Sequence, residues 1–185
     1  MNIPNFLSLL RIILVPFVVI FLIQGSYGKA LFTFTLAGLT DALDGTLARL
    51  LNRQTVLGSY LDPIADKLLL TASFVTLSIL GVIPSWLTVI VISRDFIILL
   101  GIAILSMISV PYVIKPALIG KITTALQVGT IFLALLFQAV SLDISYDWIM
   151  ILCWVTGFFT VASGLTYITR GIKFINTAAS KEVKK

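Results

Sequence analysis

The chain has 185 residues, of which 59% are hydrophobic and 11% are charged, and its mean hydropathy is +1.11. A soluble domain carries charge on about a quarter of its positions, so this composition excludes a soluble enzyme, a nucleic-acid-binding protein and a receptor with a globular ectodomain. In such an apolar chain, we interpret the net charge of +5 as cationic loops, which orient a membrane protein and contact anionic lipid headgroups. We expect no nucleic-acid partner.

Apolar runs separated by Gly, Pro or charged residues predict a series of membrane-spanning helices. A helix needs about 20 apolar residues to cross the hydrocarbon core, and the chain is long enough for about six such helices. The runs lie near 9–24, 30–50, 60–80, 84–109, 118–140 and 147–169. The expected fold is therefore all-α and polytopic, with one six-helix membrane domain over 1–175 and a short basic tail over 176–185.

The Lys and Arg residues at the ends of the apolar runs and in the loops between them lie almost entirely on one side of this topology, with Lys67 and Arg94 left uncounted because they lie farther inside the runs. If the N-terminus is cytoplasmic, the opposite side holds Lys29 alone. The cytoplasmic set comprises Arg11, Arg49, Arg53, Lys115, Lys121, Arg170, Lys173, Lys181, Lys184 and Lys185. Because cytoplasmic loops carry the excess of cations, both termini are predicted to be cytoplasmic. The break at 50–57 then faces the cytoplasm, and chemistry beside it would use cytoplasmic substrates.

Four of the eight acidic residues flank this cytoplasmic break: Asp41, Asp44, Asp62 and Asp66. The first two are spaced i,i+3 and the last two i,i+4, so each pair shares one face of its helix. An unpaired carboxylate in a membrane-spanning helix costs at least about 2.5–3.5 kcal/mol. The cluster therefore requires a compensating partner.

Carboxylates without His or Cys form a hard-oxygen site, which favours Mg²⁺, Mn²⁺ or Ca²⁺ over zinc. The chain has no His, and its single cysteine, Cys153, lies in an apolar run. Four negative charges exceed the charge of one divalent ion, so two ions are predicted, an arrangement that recurs in displacement at phosphorus. The alternative is a set of helix caps and interhelical ion pairs. Asp62, which precedes Pro63, suits an N-cap, but capping accounts for only one of the four acids.

The acids belong to a longer motif, Asp41-x2-Asp44-Gly45-x2-Ala48-Arg49-x8-Gly58-x3-Asp62-x3-Asp66. This pattern resembles, without a gap, the signature of the CDP-alcohol phosphatidyltransferase family, whose members transfer a phosphatidyl group from CDP-diacylglycerol to an alcohol and release CMP. The resemblance extends to Ser93-Arg94-Asp95 and to Gly120-Lys121. It implies a six-helix fold, a homodimer, and a place in the inner or plasma membrane of a bacterium with the active site on the cytoplasmic side.

The resemblance also implies roles for individual residues. Asp41, Asp44, Asp62 and Asp66 would bind two divalent ions, Mg²⁺ or Mn²⁺, and Asp66 would be the general base that deprotonates the acceptor hydroxyl. The nucleotide pocket would be lined by Gly45, Ala48, Arg49 and Gly58. We expect a direct displacement with no covalent enzyme intermediate.

The resemblance to short family members implies an acceptor that carries a phosphate, and such an acceptor needs cations beside the catalytic acids. The candidates are Arg94 in the middle of an apolar run, Lys121 and Arg11, whereas Lys67 suits charge balance as well as binding. For Arg94 the alternative is an ion pair with Asp95 or with the acidic cluster. Short family members most often use sn-glycerol 3-phosphate, which we place first. The alternative is phosphatidylglycerol, which would give cardiolipin. It is favoured by Asp95, Ile102 and Thr123, since members that use glycerol 3-phosphate commonly have Glu, Arg and Lys at these positions.

A different class of protein, a cation-transporter subunit, would also contain acidic residues in six apolar helices. Against it, the acids cluster at one membrane edge, with no second polar layer and no paired interrupted helices.

Overall fold

The computed structural model describes the backbone of residues 3–51, 56–107, 118–140 and 146–182 and the side chains of residues 9–40, 64–101, 118–140 and 147–172. The described residues form α-helices joined by short turns, and no strand occurs among them. The helices are α1 (Ile3–Ile23), α2 (Tyr27–Leu51), α3 (Val56–Ile79), α4 (Ser85–Met107), α5 (Leu118–Val140) and α6 (Tyr146–Glu182). The predicted all-α fold is confirmed.

Two stretches of the described chain are long and apolar enough to cross a bilayer, Leu118–Val140 and Asp147–Ile172. A third apolar stretch, Leu9–Ile23, is shorter. The six predicted crossings therefore stay a prediction, although a helix lies at each predicted run. α6 continues to Glu182, so it includes most of the segment expected to form a tail.

Glycine ends both α1 and α3 in the same way. Gly25 and Gly81 have φ values of 68° and 72°, the left-handed conformation that glycine adopts without steric cost. The amide of Ser26 donates to the carbonyl of Phe21, and the amide of Val82 donates to that of Leu77. These are Schellman caps, which satisfy the last carbonyls of a helix and turn the chain. They explain two of the predicted breaks.

The helices pack as two groups that meet along α2, α3, α4 and α5. α1 packs against α2 and α3, while α6 packs against α4 and α5. Contacts of α5 with α2 and α3, and of α3 with α4, join the groups. Fully buried Leu22, Phe74, Leu77, Leu87 and Leu135 belong to one continuous apolar core. Many large apolar side chains lie on the outer surface, as expected where hydrocarbon replaces water.

Polar side chains rather than apolar ones line part of the contact between α5 and α6. The polar ladder, as we name it, consists of Thr123, Gln127, Thr130, Thr156 and Thr160, all buried. The hydroxyls of Thr130 and Thr156 are 2.7 Å apart, and Gln127 Nε2 donates to Thr160 Oγ1 at 3.3 Å. Small polar residues let helices approach closely and hydrogen-bond to each other in lipid. The ladder thus fixes α6 against α5.

Candidate active site

Asp66 projects from α3 toward α1, where it meets a buried cation. Arg11 Nη1 donates a hydrogen bond to Asp66 Oδ1, and the two side chains form an ion pair. The Arg11 side chain is 1% exposed, whereas that of Asp66 is 40% exposed. The pair therefore supplies Asp66 with a positive partner on the buried side, while the Asp66 side chain as a whole is partly exposed.

A second acidic residue, Asp95 on α4, bridges two cations. Its Oδ1 accepts hydrogen bonds from Lys67 Nζ at 2.5 Å and from Arg94 Nη1 at 2.8 Å. The Asp95 side chain is 10% exposed and that of Arg94 is 7% exposed. We name Lys67, Arg94 and Asp95 the Asp95 cluster. Because ionised side chains in apolar helices are costly unless paired, each member compensates another.

Arg94 has further contacts with α6. Its Nη2 donates to Ser163 Oγ at 3.1 Å, and its guanidinium carbon lies 5.7 Å from the centre of the Tyr167 ring, within the range of a cation–π interaction. The position of Tyr167 depends on Gly120 of α5, because a Cβ atom there would lie 2.9 Å from the Tyr167 hydroxyl. Arg94 is therefore held by groups from two helices.

The Asp95 cluster borders a cavity of about 880 Å³, which we name the cationic cavity. One end presents Lys67, Arg94, Lys121 and Tyr167, and the remaining described walls are largely apolar. The other lining residues are Phe34, Thr35, Gly38, Leu39, Ile98, Gly120, Thr124, Ala125, Val128, Gly129 and Phe132. From Gly120 to Phe132 the α5 wall extends for about 18 Å. A cavity with cations at one end and apolar walls beyond them is suited to bind an amphipathic anion, a molecule with a negatively charged group and an apolar part.

The structure brings two of the three predicted acceptor ligands together, since Arg94 and Lys121 line the cationic cavity. The third, Arg11, is buried against Asp66. The other predicted site residues lie on α2 and α3, but their side chains are outside the described residues: Asp41, Asp44, Gly45, Ala48, Arg49, Gly58 and Asp62. Within the described part of the chain, no three His, Cys, Asp or Glu residues come together as a metal site.

Sequence reasoning did not find all of the contacts of Arg94. The ion pair with Asp95, predicted as the alternative to acceptor binding, is present, and Arg94 also lines the cationic cavity; its role in acceptor binding stays a prediction. Ser163 and Tyr167 were missed as site residues. Their i,i+4 spacing places them on one face of α6, which was the available signal.

Comparison with known proteins assigns the chain to a family. A sequence profile described as CDP-alcohol phosphatidyltransferase matches residues 1–162. The chain is 31% identical to CDP-diacylglycerol--glycerol-3-phosphate 3-phosphatidyltransferase of Bacillus subtilis, over 96% of this chain and 98% of that protein. It is 33% identical to a probable phosphatidylglycerophosphate synthase of Mycobacterium tuberculosis, over 94% and 83%.

A further relative, human cardiolipin synthase (CMP-forming), is 35% identical over 94% of this chain, which covers 63% of the human protein. The matching profile and the Bacillus subtilis relative are both described as phosphatidyltransferases. The chain belongs to the CDP-alcohol phosphatidyltransferase family and is a phosphatidyltransferase of phospholipid biosynthesis.

Proposed function

We propose that this enzyme transfers the phosphatidyl group of CDP-diacylglycerol to an acceptor that carries a glycerol phosphate, with release of CMP. The observation that carries the proposal is the cationic cavity, where Lys67, Arg94 and Lys121 lie at one end. The residue that precedes Lys67 is Asp66, a half-exposed carboxylate held by Arg11. A phosphate binds to paired Lys and Arg side chains, so an acceptor bound there would lie beside the motif that carries the acids.

The metal site in this proposal consists of Asp41, Asp44, Asp62 and Asp66. All four donors are carboxylates, the ligand type that Mg²⁺ and Mn²⁺ prefer, and the Asp66 side chain is exposed enough to reach a ligand. Two divalent ions, when bound, would neutralise charge on the diphosphate of CDP-diacylglycerol. Gly45, Ala48, Arg49 and Gly58 are the proposed lining of the nucleotide pocket.

Asp66 is the proposed general base for the acceptor hydroxyl. The hydroxyl oxygen forms a bond to the phosphorus of the phosphatidyl group, and the bond from that phosphorus to the oxygen of CMP breaks. Asp66 takes the hydroxyl proton, and CMP leaves with the electron pair. Arg11 holds Asp66 in place from α1, while Arg94 and Lys121 orient the acceptor through its phosphate.

We place sn-glycerol 3-phosphate first as the acceptor, as in the name of the Bacillus subtilis relative, which matches this chain over nearly its whole length. A specific observation favours the second candidate, phosphatidylglycerol. Apart from Lys67, Arg94, Lys121 and Tyr167, the cationic cavity is lined largely by apolar residues, among them Phe34 and Phe132, and we name this part of its lining the apolar trough. A water-soluble acceptor does not need such a trough, whereas a lipid acceptor or the acyl chains of CDP-diacylglycerol would fill it.

The experiment is an assay of the purified protein in detergent with CDP-diacylglycerol, Mg²⁺ or Mn²⁺ and each acceptor separately, with the lipid product resolved by mass. We expect CMP release that depends on acceptor and stops when EDTA removes the metal. Product with phosphatidylglycerol alone would reverse the order of the two acceptors. No transfer to either would overturn the proposed function.

We further propose that the membrane domain over 1–175 crosses the bilayer six times, with both termini and the tail over 176–185 cytoplasmic. Lys29 is then the loop cation on the outer side. The test uses Cys153→Ala as background, with Lys29→Cys or Lys181→Cys. A membrane-impermeant maleimide should label the first in intact cells and the second only after the membrane is opened. We also propose that the enzyme is a homodimer, which light scattering of the purified protein in detergent tests.

A further inference from the structure

We propose that Asp95 is the positioning residue for acceptor binding: it holds Lys67 and Arg94 together at the charged end of the cationic cavity without touching the acceptor itself. The proposal deepens the proposed function and rests on it. Among the described lining residues of the cavity, Lys67 and Arg94 are present and Asp95 is not. Asp95 must therefore act through the two cations.

The first step is electrostatic. Lys67 Nζ and Arg94 Nη1 are bound to the same oxygen of Asp95, at 2.5 and 2.8 Å, so the two cations are no farther apart than the sum of these distances. Like charges so close repel strongly where little water screens them. Asp95 supplies the negative charge between them, and without it the two side chains would separate.

The second step concerns Arg94. Its other described hydrogen-bond and cation–π partners are Ser163 and the Tyr167 ring, both neutral, and its Nε has no hydrogen-bond partner among the described residues. Asp95 is thus the charged group that orients the guanidinium. Asp95 Oδ2 is likewise without a described partner, so both cations depend on the single atom Oδ1.

The third step links binding to chemistry. Lys67 belongs to α3 and follows Asp66 directly, whereas Arg94 belongs to α4. Because Asp95 binds both cations, it connects Arg94 on α4 to Lys67 on α3, the helix that carries the proposed base. A phosphate bound to both cations would then lie at a constant position relative to α3, which is what efficient transfer to a positioned hydroxyl requires.

The test compares Asp95→Asn, Asp95→Glu and the matched control Asp147→Asn in the phosphatidyl-transfer assay, with the acceptor that the wild-type protein uses. Asn keeps the volume and an oxygen acceptor and removes only the charge. Asp147 is exposed in the first turn of α6, about 24 Å along that helix from Ser163.

We expect Asp95→Asn to raise the KM for the acceptor about tenfold, because charge-assisted hydrogen bonds are replaced by neutral ones, and to change the KM for CDP-diacylglycerol by less than about twofold. Asp95→Glu should restore most of the acceptor KM, and Asp147→Asn should match the wild type. A purely structural role would instead lower the thermal midpoint and the amount of active enzyme while both KM values stay constant.

If Asp95→Asn does not fold, Ser163→Ala gives the second measurement, since it removes one support of Arg94 and should raise the acceptor KM about threefold. An unchanged acceptor KM in the folded variant, or an equal rise in both KM values, would overturn the proposal. A wild-type enzyme that transfers to neither acceptor would overturn the proposed function and this inference together, whereas an active wild type with an indifferent Asp95 would overturn the inference alone.

Discussion

Asp66 and Asp95 are both carboxylates on largely apolar helices, and each is paired with an arginine, yet their surroundings differ. Asp66 has Arg11 on its buried side, and its side chain is 40% exposed. Asp95 accepts hydrogen bonds from both Lys67 and Arg94, and its side chain is 10% exposed. The side chain of Asp66 is thus partly exposed, whereas that of Asp95 is enclosed by cations of its own chain.

The difference shows that an acid in an apolar helix does not by itself identify a catalytic group. Ionisable residues in such helices usually have a function, but that function depends on whether an oxygen remains accessible. Asp66 has the accessibility that a metal ligand or proton acceptor needs. Asp95 is enclosed, as a positioning group must be. If its carboxylate moved, Lys67 and Arg94 would no longer be held where they can bind the acceptor.

The largest expected effect, from Asp66→Asn, tests the open carboxylate. The amide cannot take a proton from the acceptor hydroxyl, so we expect turnover to fall about 100-fold or more. Binding of CDP-diacylglycerol should persist, whereas the thermal midpoint should fall, because the buried Arg11 loses the carboxylate with which it forms an ion pair. CMP release and equilibrium binding of the nucleotide lipid measure the two effects, with Asp147→Asn as control. Normal turnover in the variant would remove Asp66 from the role of base.

The next effect concerns the buried partner of Asp66. Arg11→Met removes a buried cation and leaves Asp66 without its charged support, so we expect a loss of about 2 kcal/mol in unfolding free energy and a fall of about 4–8 °C in the thermal midpoint. Arg11→Lys should recover part of the unfolding free energy and part of the thermal midpoint, because lysine keeps the positive charge but lacks the planar guanidinium group. A Met variant as stable as the wild type would show that the ion pair does not support the fold.

A smaller effect is expected from Gly120→Ala, which tests the surroundings of Asp95 through Tyr167 and Arg94. The new methyl group would meet the Tyr167 hydroxyl at 2.9 Å, and the displaced ring would loosen Arg94. We expect the acceptor KM to rise about threefold, with a loss of stability of about 1 kcal/mol. Gly171→Ala on α6 is the matched control, because a Cβ there meets nothing within 4 Å. Equal kinetics for the two variants would separate Tyr167 from acceptor binding.

The smallest effect is expected in the polar ladder. Thr130→Val removes the hydroxyl that lies 2.7 Å from that of Thr156, a type of contact worth about 0.6 kcal/mol in membrane proteins. The thermal midpoint should fall by about 2 °C, with both KM values unchanged. A large change in acceptor KM would mean that the ladder contributes to the site more directly than the contacts around Asp95 do.

Helix positions and the acidic motif were predictable from the sequence because both depend on local spacing. Apolar runs gave the helices, and Gly25 and Gly81 ended two of them as expected of glycine. The partners of Arg94 on another helix, Ser163 and Tyr167, were harder to predict than its sequence neighbour Asp95, and so was the ion pair between Asp95 and Lys67 of α3. Such contacts depend on how helices are rotated against one another, which a single sequence with weakly amphipathic helices does not specify. The roles of Asp41, Asp44 and Asp62 stay predictions.

The polar ladder also determines the register of α6. Thr130 and Gln127 bind Thr156 and Thr160 in order, and a shift of α6 by one helical turn, about 5.4 Å, would break both bonds. The same shift would carry Ser163 and Tyr167 away from Arg94 and leave the guanidinium with Asp95 alone. Substitutions that remove both bonds and let α6 slide would therefore alter acceptor binding without replacing any group that a substrate contacts, whereas the loss of the Thr130 bond alone leaves the Gln127 bond to hold the register.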